Sequence, residues 1–427
     1  MAELSERIVA RRIQEVLAAL IADEPVIALH GPRSVGKSTL LQSFALEHGV
    51  EVIDLDDPAV LDAVVANPSL AVSGPPPVCI DEYQRAVDLL DALKARLNRE
   101  GTVPGTAVLT GSTRHDAIPR TAQALTGRLH VLTILPLSQG EIAGVREDLL
   151  PALLDDSAQA VAAVPRSLTS RGDYIDRVCA GGFPLALRRQ GAARSRWFRD
   201  YVRLSVERDA AELAKVRQRA VLSQLLDRLA GQTGQVLNVA AASSGLEVHR
   251  ETIDSYVRLL EDLCLVQRLP AWGKTLRARA ARLPKVHVVD SGLAAWLLGS
   301  NPQRLATLDP TALSEFGHLL ETFVVGELRK QVSWLDEPVT LGHWRADDDE
   351  VDLVVEFEDG RVLAFEVKAN QRIAGKDLRG LVKLRDLLGD RLVAGVALST
   401  GERSYSTDQD RIHVLPVDRL WQPVQRP

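Results

Sequence analysis

The segment GPRSVGKS, Gly31 to Ser38, limits what this chain can fold into more than any other feature. Two glycines let a loop turn successive backbone N–H groups toward an anion, and the lysine and hydroxyl that follow suit phosphate oxygens and a magnesium ion. The context has the required form. An apolar run, PVIAL, reads as a buried parallel strand, and KSTLLQSFALEHG carries Leu40, Leu41, Phe44 and Leu46 at helical spacing before a stop at Gly49. Strand, loop and helix predict that Gly31, Pro32, Arg33, Ser34, Val35, Gly36, Lys37, Ser38 and Thr39 wrap the phosphates of ATP on a helix N-terminus. Lys37 is then the contact to the β and γ phosphates, and Ser38 a ligand of Mg2+.

Two further strands supply partners. PPPVCIDEYQR is a short apolar strand ending in adjacent carboxylates: Asp81 is expected to hold the magnesium shell, and Glu82 to polarise the attacking water. GTAVLTGSTR ends in Thr110, Ser112 and Arg114, and TAQALTGRLHVLTILPL places Gly127 and Arg128 immediately before another strand. A polar sensor, Ser112, at one strand tip and an arginine just before the next resemble the AAA+ class of additional-strand P-loop ATPases. That resemblance implies that Arg128 is a finger inserted into a neighbouring subunit's site, with Arg114 the second candidate. CAGGFPLALRRQ resembles the start of the small helical lid of that class, which implies a sensor role for Arg188 or Arg189; the alternative is a pair of arginines that solvate a helix.

A chain of 427 residues exceeds what one core usually serves, so two or three domains are expected. With 46% hydrophobic and 25% charged residues it is an ordinary globular protein rather than a disordered one. Cys79, Cys179 and Cys264 are far apart in apolar or helical contexts, which predicts reduced thiols rather than disulfides or zinc. The acidic, helical N-terminus does not read as a secretory signal, and no run has the length of a membrane span, so a cytoplasmic protein with no membrane contact is expected.

The net charge of -6 hides basic patches. From Arg188 to Arg219 ten arginines and lysines stand against four acids, a candidate footprint for DNA. Three helices follow, in RAVLSQLLDRLAGQTG, LNVAAASSGL and HRETIDSYVRLLEDL, and then an extended CLVQRLPAW that can pair with PKVHVVD. This is the winged helix-turn-helix layout. Its third helix would expose His249, Arg250, Asp254 and Arg258 and bury Ile253, Val257 and Leu260. The wing carries Arg268, Lys274, Arg277, Arg279, Arg282 and Lys285 without an acid, so residues 268–285 are a second expected phosphate contact. The alternative is a winged helix that packs subunits.

Two strands, Glu350 to Phe357 and Arg361 to Ala369, flank a turn. A two-residue loop would put Asp352 opposite Val367; a three-residue loop, Glu358 to Gly360 with Gly360 left-handed, puts it opposite Glu366. In the second register Val351, Leu353, Val355, Phe357, Leu363, Phe365 and Val367 share a core face, and Asp352, Glu366 and Lys368 gather on the other. That D…ExK constellation resembles the restriction-endonuclease-like fold, which implies a second magnesium site at Asp352, Glu366 and Lys368, completed by a glutamate from a preceding helix, Glu321 ahead of Glu327. The alternative is a solvated sheet face, and the run Asp347 to Glu350 reads as a solvated turn.

The order GPRxVGKS, IDE, LTGS, GR, GGFP, PKVHVVDSGL, HLLETFV, EVDLVV and EVK resembles a bacterial and archaeal family of predicted AAA+ ATPases with an uncharacterised C-terminal domain on a restriction-endonuclease-like core; Ser34 departs from that pattern, which usually has glutamine. The fold expectation is multidomain α/β: a parallel-sheet P-loop AAA+ core with a helical lid over 1–190, a basic linker and winged helix-turn-helix over 191–300, and an α/β nuclease-like domain over 301–427. The resemblance implies ATP and Mg2+ as cofactors, self-association such as a hexameric ring, and a link to DNA. The leading expectation is an ATPase that drives DNA binding or remodelling on branched or single-stranded substrates. The alternatives are an ATP-dependent nuclease using Asp352, Glu366 and Lys368, and a slow ATP switch that regulates or scaffolds partners.

Overall fold

The computed structural model describes residues 9–111, 125–163, 166–206, 219–246, 248–273, 275 and 282–423. After a first helix, α1 (Ile13–Leu20), five short strands build a parallel sheet: β1 (Val26–His30), β2 (Val52–Asp54), β3 (Val78–Asp81), β4 (Ala107–Gly111) and β5 (Leu129–Thr133), in the order β2-β3-β4-β1-β5. β4 thus lies between β1 and β3, the additional strand of the expected core. All five residues of β1 are buried, as a strand covered by helices on both faces requires. The helix after the loop, α2 (Lys37–Glu47), buries Leu40, Leu41 and Phe44, while Leu46, grouped with them by spacing, is exposed. Because the strands run parallel, the loop after β1, the acids after β3 and the tip of β4 share one rim.

The GGFP turn follows α3 (Arg171–Ala180) and is glycine for steric reasons. A Cβ on Gly181 would lie 2.1 Å from Asp290 Oδ1, and one on Gly182 would lie 2.2 Å from the Leu137 carbonyl. The space is filled by a buried hydrogen bond from Gly182 N–H to Asp290 Oδ2 at 2.7 Å. The other Asp290 oxygen caps α8 (Ser291–Leu297), which comes later in the chain. Between them α4 (Gly191–Leu204) packs Phe198 and Tyr201 inward beside Phe183 and Trp197.

The middle of the chain runs α5 (Arg219–Ala230), β6 (Gln235–Val236), α6 (Val239–Ser243), α7 (Arg250–Asp262), β7 (Val266–Leu269) and β8 (Lys285–Val288). β7 and β8 pair antiparallel, and β6 adds a third strand to β8 that the sequence reading lacked. Ile253, Val257 and Leu260 are buried on α7, while His249 and Arg258 are exposed. Residues 271–273, just after β7, are buried. Trp272 N–H donates to the His343 carbonyl at 2.6 Å, its indole donates to Glu356 at 3.0 Å, and its ring is buried against the C-terminal sheet.

That sheet has six strands in the order β13-β14-β12-β11-β10-β9: β9 (Val339–Ala346), β10 (Asp349–Phe357), β11 (Val362–Lys368), β12 (Leu392–Ser399), β13 (Tyr405–Ser406) and β14 (Ile412–Pro416). The helix α9 (Pro310–Val332) packs on one face and α10 (Arg379–Leu388) on the other. The β10–β11 loop has three residues: Phe357 N–H bonds the Arg361 carbonyl at 2.9 Å, Gly360 has φ +88°, and Leu353 pairs with Phe365. Continued by one step, that register faces Asp352 with Glu366. One expectation and one alternative fail here. A bulge against β9 between Val351 and Val354 turns Val351 to the α10 face, with Val354, Val362 and Ala364, away from Leu353 and Val355. The second face is also covered, by Leu381, Leu384 and Leu388 of α10, so it is not a solvated polar face.

Among the described residues no helix is long and apolar enough to cross a membrane.

Candidate functional site

The loop between β1 and α2 owes its shape to three residues of positive φ: Gly31 (+149°), Ser34 (+61°) and Gly36 (+96°). At Gly31 a Cβ would lie 2.1 Å from the Ile134 carbonyl, so no side chain fits. Lys37 is buried, and its ammonium donates to the carbonyls of Gly31 at 2.9 Å and Pro32 at 2.8 Å, which aims it at the centre of the loop. Burial lowers its pKa to about 8, against the pull of Glu82. Arg11, which carries no local signal in the sequence, braces the loop from behind: its guanidinium bonds the carbonyls of Val35 at 2.8 Å and Leu135 at 2.7 Å and pairs with Glu141 at 3.0 Å.

Asp81 ends β3, and Glu82 follows in a left-handed turn with φ +56°. Thr110, at the tip of β4, ties the two together. Its hydroxyl donates to Asp81, and its oxygen accepts the Glu82 N–H at 3.2 Å. The sensor named from sequence, Ser112, and the second arginine, Arg114, lie outside the described residues. The left-handed turn also brings Gln84 back over the Glu82 carboxylate, to which its amide donates. Burial raises the pKa of Glu82, while Gln84 and Lys37 oppose that rise. A half-buried carboxylate of raised basicity beside a lysine-filled phosphate loop can accept a proton from water.

Arg128 stands before β5, and its guanidinium donates to Asn98 at 2.6 Å. Since Leu129 pairs with Val26 and Thr133 with His30, Arg128 lies at the opposite end of the strands from the phosphate loop. At roughly 3.3 Å per residue that separation is about 16 Å. Arg188 is exposed, and Arg189 donates to the Leu185 carbonyl. Arg196, Arg199 and Arg203 form an exposed row on α4, with Asp200 3.7 Å from Arg199 and 3.6 Å from Arg203. Arg208, Lys215, Arg217, Lys274, Arg277 and Arg279 lie outside the described residues. A cavity of about 910 Å³ opens between the N-terminal segment, residues 139–146 and α3, with Arg12, Glu141, Asp176 and Arg177 on its walls.

The C-terminal carboxylates do come together, but around an ammonium. Lys285 Nζ donates to Asp352 Oδ1 at 2.7 Å and Glu321 Oε1 at 2.8 Å, and Glu350 stands 4.0 Å away. Lys285 is therefore not a solvent-facing phosphate contact of the wing, because its side chain is 2% exposed. Arg268 of the same segment pairs with Glu261 at 2.5 Å. The second Asp352 oxygen accepts Val367 N–H at 2.8 Å, and Glu366 Oε1 pairs with Lys368 at 2.5 Å. Burial alone would lower the pKa of Lys285, but Asp352 and Glu321 raise it, so the ammonium is charged. Burial, with Asp352 adding to it, drives Glu321 and Glu366 well above the usual carboxylate range. Asp352 falls below that range: burial works the other way but is outweighed by Lys285. Glu327, the less favoured helix acid, lies elsewhere, accepting Gln139 N–H at 2.8 Å and pairing with Lys330 at 2.6 Å. In the acidic run Asp349 is buried beside Lys383 and Arg379 rather than in a solvated turn.

Among the described residues no three His, Cys, Asp or Glu side chains are disposed to hold a metal ion.

Residues 23–143 match the family described as an AAA domain, residues 171–304 a domain of unknown function (DUF8612), and residues 316–420 a domain of unknown function (DUF4143). Uncharacterized proteins of Mycobacterium tuberculosis and Mycobacterium bovis are each 28% identical over 400 residues, 93% of this chain and 81% of theirs. Among solved structures, the Walker-type ATPase of Pyrococcus abyssi has a TM-score of 0.41 at 14% identity, covering 69% of this chain and 97% of its own. AMPPCP-bound DnaA from Aquifex aeolicus has 0.28 at 12%, covering 61% and 91%, and the RuvB Holliday junction branch migration motor of Thermotoga maritima 0.26 at 16%, covering 60% and 89%. Those structural likenesses are weak; the family match and the phosphate loop carry the assignment. The N-terminal domain is an AAA-type ATPase domain, and the chain is an ATPase.

Proposed function

We propose that this ATPase works as an oligomer that uses ATP and Mg2+ to drive binding and remodelling of DNA. Ser38 and Asp81 hold the magnesium, Lys37 the phosphates, and Glu82 the attacking water, while Arg128 serves the site of an adjoining copy. The last role is supported by its distance from its own loop, at the far end of the strands. The observation that carries the DNA reading is the exposed arginine row on α4, next in sequence to a helix, strand, helix, helix and ribbon in the order of a winged helix-turn-helix. Coupling has a route: the Leu137 carbonyl and Gln139 N–H, just after β5, bond Lys330 and Glu327 of α9. The test measures DNA affinity and DNA-stimulated ATPase from low to high salt. The triple substitution Arg196→Ala, Arg199→Ala and Arg203→Ala is expected to reduce the log–log salt slope by roughly three. An ATPase rate indifferent to every DNA at low salt, with no mobility shift, defeats this reading.

Gln84 offers a sharper test of the Glu82 assignment. Its amide is the donor that opposes the raised pKa of Glu82. Gln84→Ala is expected to leave KM for ATP unchanged, to lower kcat about tenfold, and to move the acid limb of kcat to higher pH, because a more basic carboxylate protonates sooner on acidification. An unmoved limb refutes the contact's role.

A second reading is favoured by Asp352 facing Glu366 beside Lys368 on a sheet packed between α9 and α10: a nuclease-like module. Cleavage of DNA or RNA with Mg2+ or Mn2+, lost in Asp352→Ala, is its test.

A further inference from the structure

The phosphate loop and Glu82 leave strands that are not neighbours. β1 carries the loop and β3 the acid, and β4 runs between them in the order β2-β3-β4-β1-β5. Two inter-strand spacings, roughly 10 Å, therefore separate β1 from β3. A base on one of them and a phosphate grip on the other must still keep a fixed separation, because reacting groups tolerate little displacement. Backbone pairing through β4 sets that separation only as far as the strands run. Glu82 stands beyond the end of β3, in its left-handed turn.

A side-chain bridge crosses the gap at that point. His30 is the last residue of β1 and precedes Gly31 of the loop; Tyr83 directly follows Glu82, and both are buried. His30 Nε2 and the Tyr83 hydroxyl form a buried hydrogen bond of 2.9 Å, and their rings stack with centroids 5.8 Å apart at an interplanar angle of 20°. The bridge passes over Gly111, the last residue of β4, which pairs with His30. Gly111 has no positive φ, so the backbone does not require a glycine there. The bridge does: a Cβ would lie 2.9 Å from Tyr83 Cε1, 3.2 Å from Gln84 Oε1 and 3.4 Å from His30 Nε2. Leucine and phenylalanine would fill the same volume with no polar group to satisfy, so packing alone does not account for the pair.

We propose that His30 and Tyr83 are positioning residues for ATP hydrolysis: their bond over Gly111 is a strut that holds the Glu82 turn at a fixed distance from the phosphate loop. This rests on the reading of Glu82 as the residue that activates water. The strut acts through Glu82 and adds nothing to the grip on the phosphates, which belongs to the loop and Lys37.

Single-turnover hydrolysis at saturating ATP and Mg2+, with the affinity for a fluorescent ATP analogue, tests this on the full-length chain. Tyr83→Phe removes one hydroxyl and keeps the ring; it is expected to slow hydrolysis about tenfold and leave the affinity unchanged. His30→Leu should match it, whereas His30→Gln, whose amide reaches the place of Nε2, should keep most of the rate. In the Glu82→Gln background Tyr83→Phe should cost nothing further. Gly111→Ala, which pushes a methyl into the bridge, should slow hydrolysis at least as much, and Tyr83→Phe should add little to it. A Tyr83→Phe protein of unaltered rate overturns the proposal. So does a loss of rate matched by a loss of affinity, or one that persists undiminished in Glu82→Gln. Should His30→Leu or Gly111→Ala fail to fold, Tyr83→Phe and His30→Gln decide. Turnover preserved in Glu82→Gln refutes the base assignment itself, whereas an inactive Glu82→Gln beside an unaffected Tyr83→Phe refutes the strut alone.

Discussion

Glu82→Gln protein is expected to bind ATP as tightly as the unaltered chain and to hydrolyse it roughly 10²–10⁴-fold more slowly. The substitution keeps the shape of the side chain, and the new amide oxygen can still accept the Gln84 contact, so the turn around φ +56° is preserved. What it removes is the carboxylate that can accept a proton. On the proposed roles, nucleotide affinity should survive because the loop N–H groups and Lys37, whose ammonium is held by the Gly31 and Pro32 carbonyls, would still meet the phosphates. Lys37→Ala divides the properties the other way, with weakened binding as its first effect. Single-turnover hydrolysis and binding of a fluorescent ATP analogue, measured on both proteins, separate the two roles. Preserved turnover in Glu82→Gln moves the catalytic base elsewhere.

The phosphate loop was legible in the sequence because everything it needs is contiguous. The glycines, lysine and hydroxyl sit within one turn, and the flanking strand and helix announce themselves by apolar run and spacing. The β10–β11 register was legible for a related reason: side-chain parity leaves few loop lengths that bury both sets of valines and leucines. The bulge at Val351 breaks that parity and is set by pairing with β9, which no local pattern encodes. Arg11 and Lys285 were misjudged or missed because their partners are far away in sequence. A basic side chain looks the same whether it meets phosphate or a buried carboxylate. Lys285 did carry one clue, its place beside the apolar PKVHVV strand, where all four β8 residues are buried and a charge requires an opposite charge at hand. Composition pointed to phosphate instead, because the six basic residues from Arg268 to Lys285 have no acid among them.

Asp352→Ala is expected to cost about 3–5 kcal/mol of stability, the usual consequence of leaving one partner of a buried ion pair charged and unmatched. Lys285 would keep Glu321, but burial raises the pKa of that acid well above the usual range, so it is a poorer counter-charge than Asp352. Removing both partners, as in Lys285→Met with Asp352→Leu, should recover much of the loss, because a buried apolar pair needs no compensation. The double-mutant cycle therefore gives a large coupling energy at this pair. The exposed pair of Asp359 and Arg361 should give no more than about 1 kcal/mol in the same cycle. Acid titration supplies the sign. Asp352 titrates below its ordinary value in the folded chain, so its contribution is complete above about pH 4 and is lost as pH falls through the folded value. Denaturant midpoints across pH, for the single and double variants, measure both effects. Equal losses at the buried and exposed pairs would show that Lys285 is not held by Asp352 in solution.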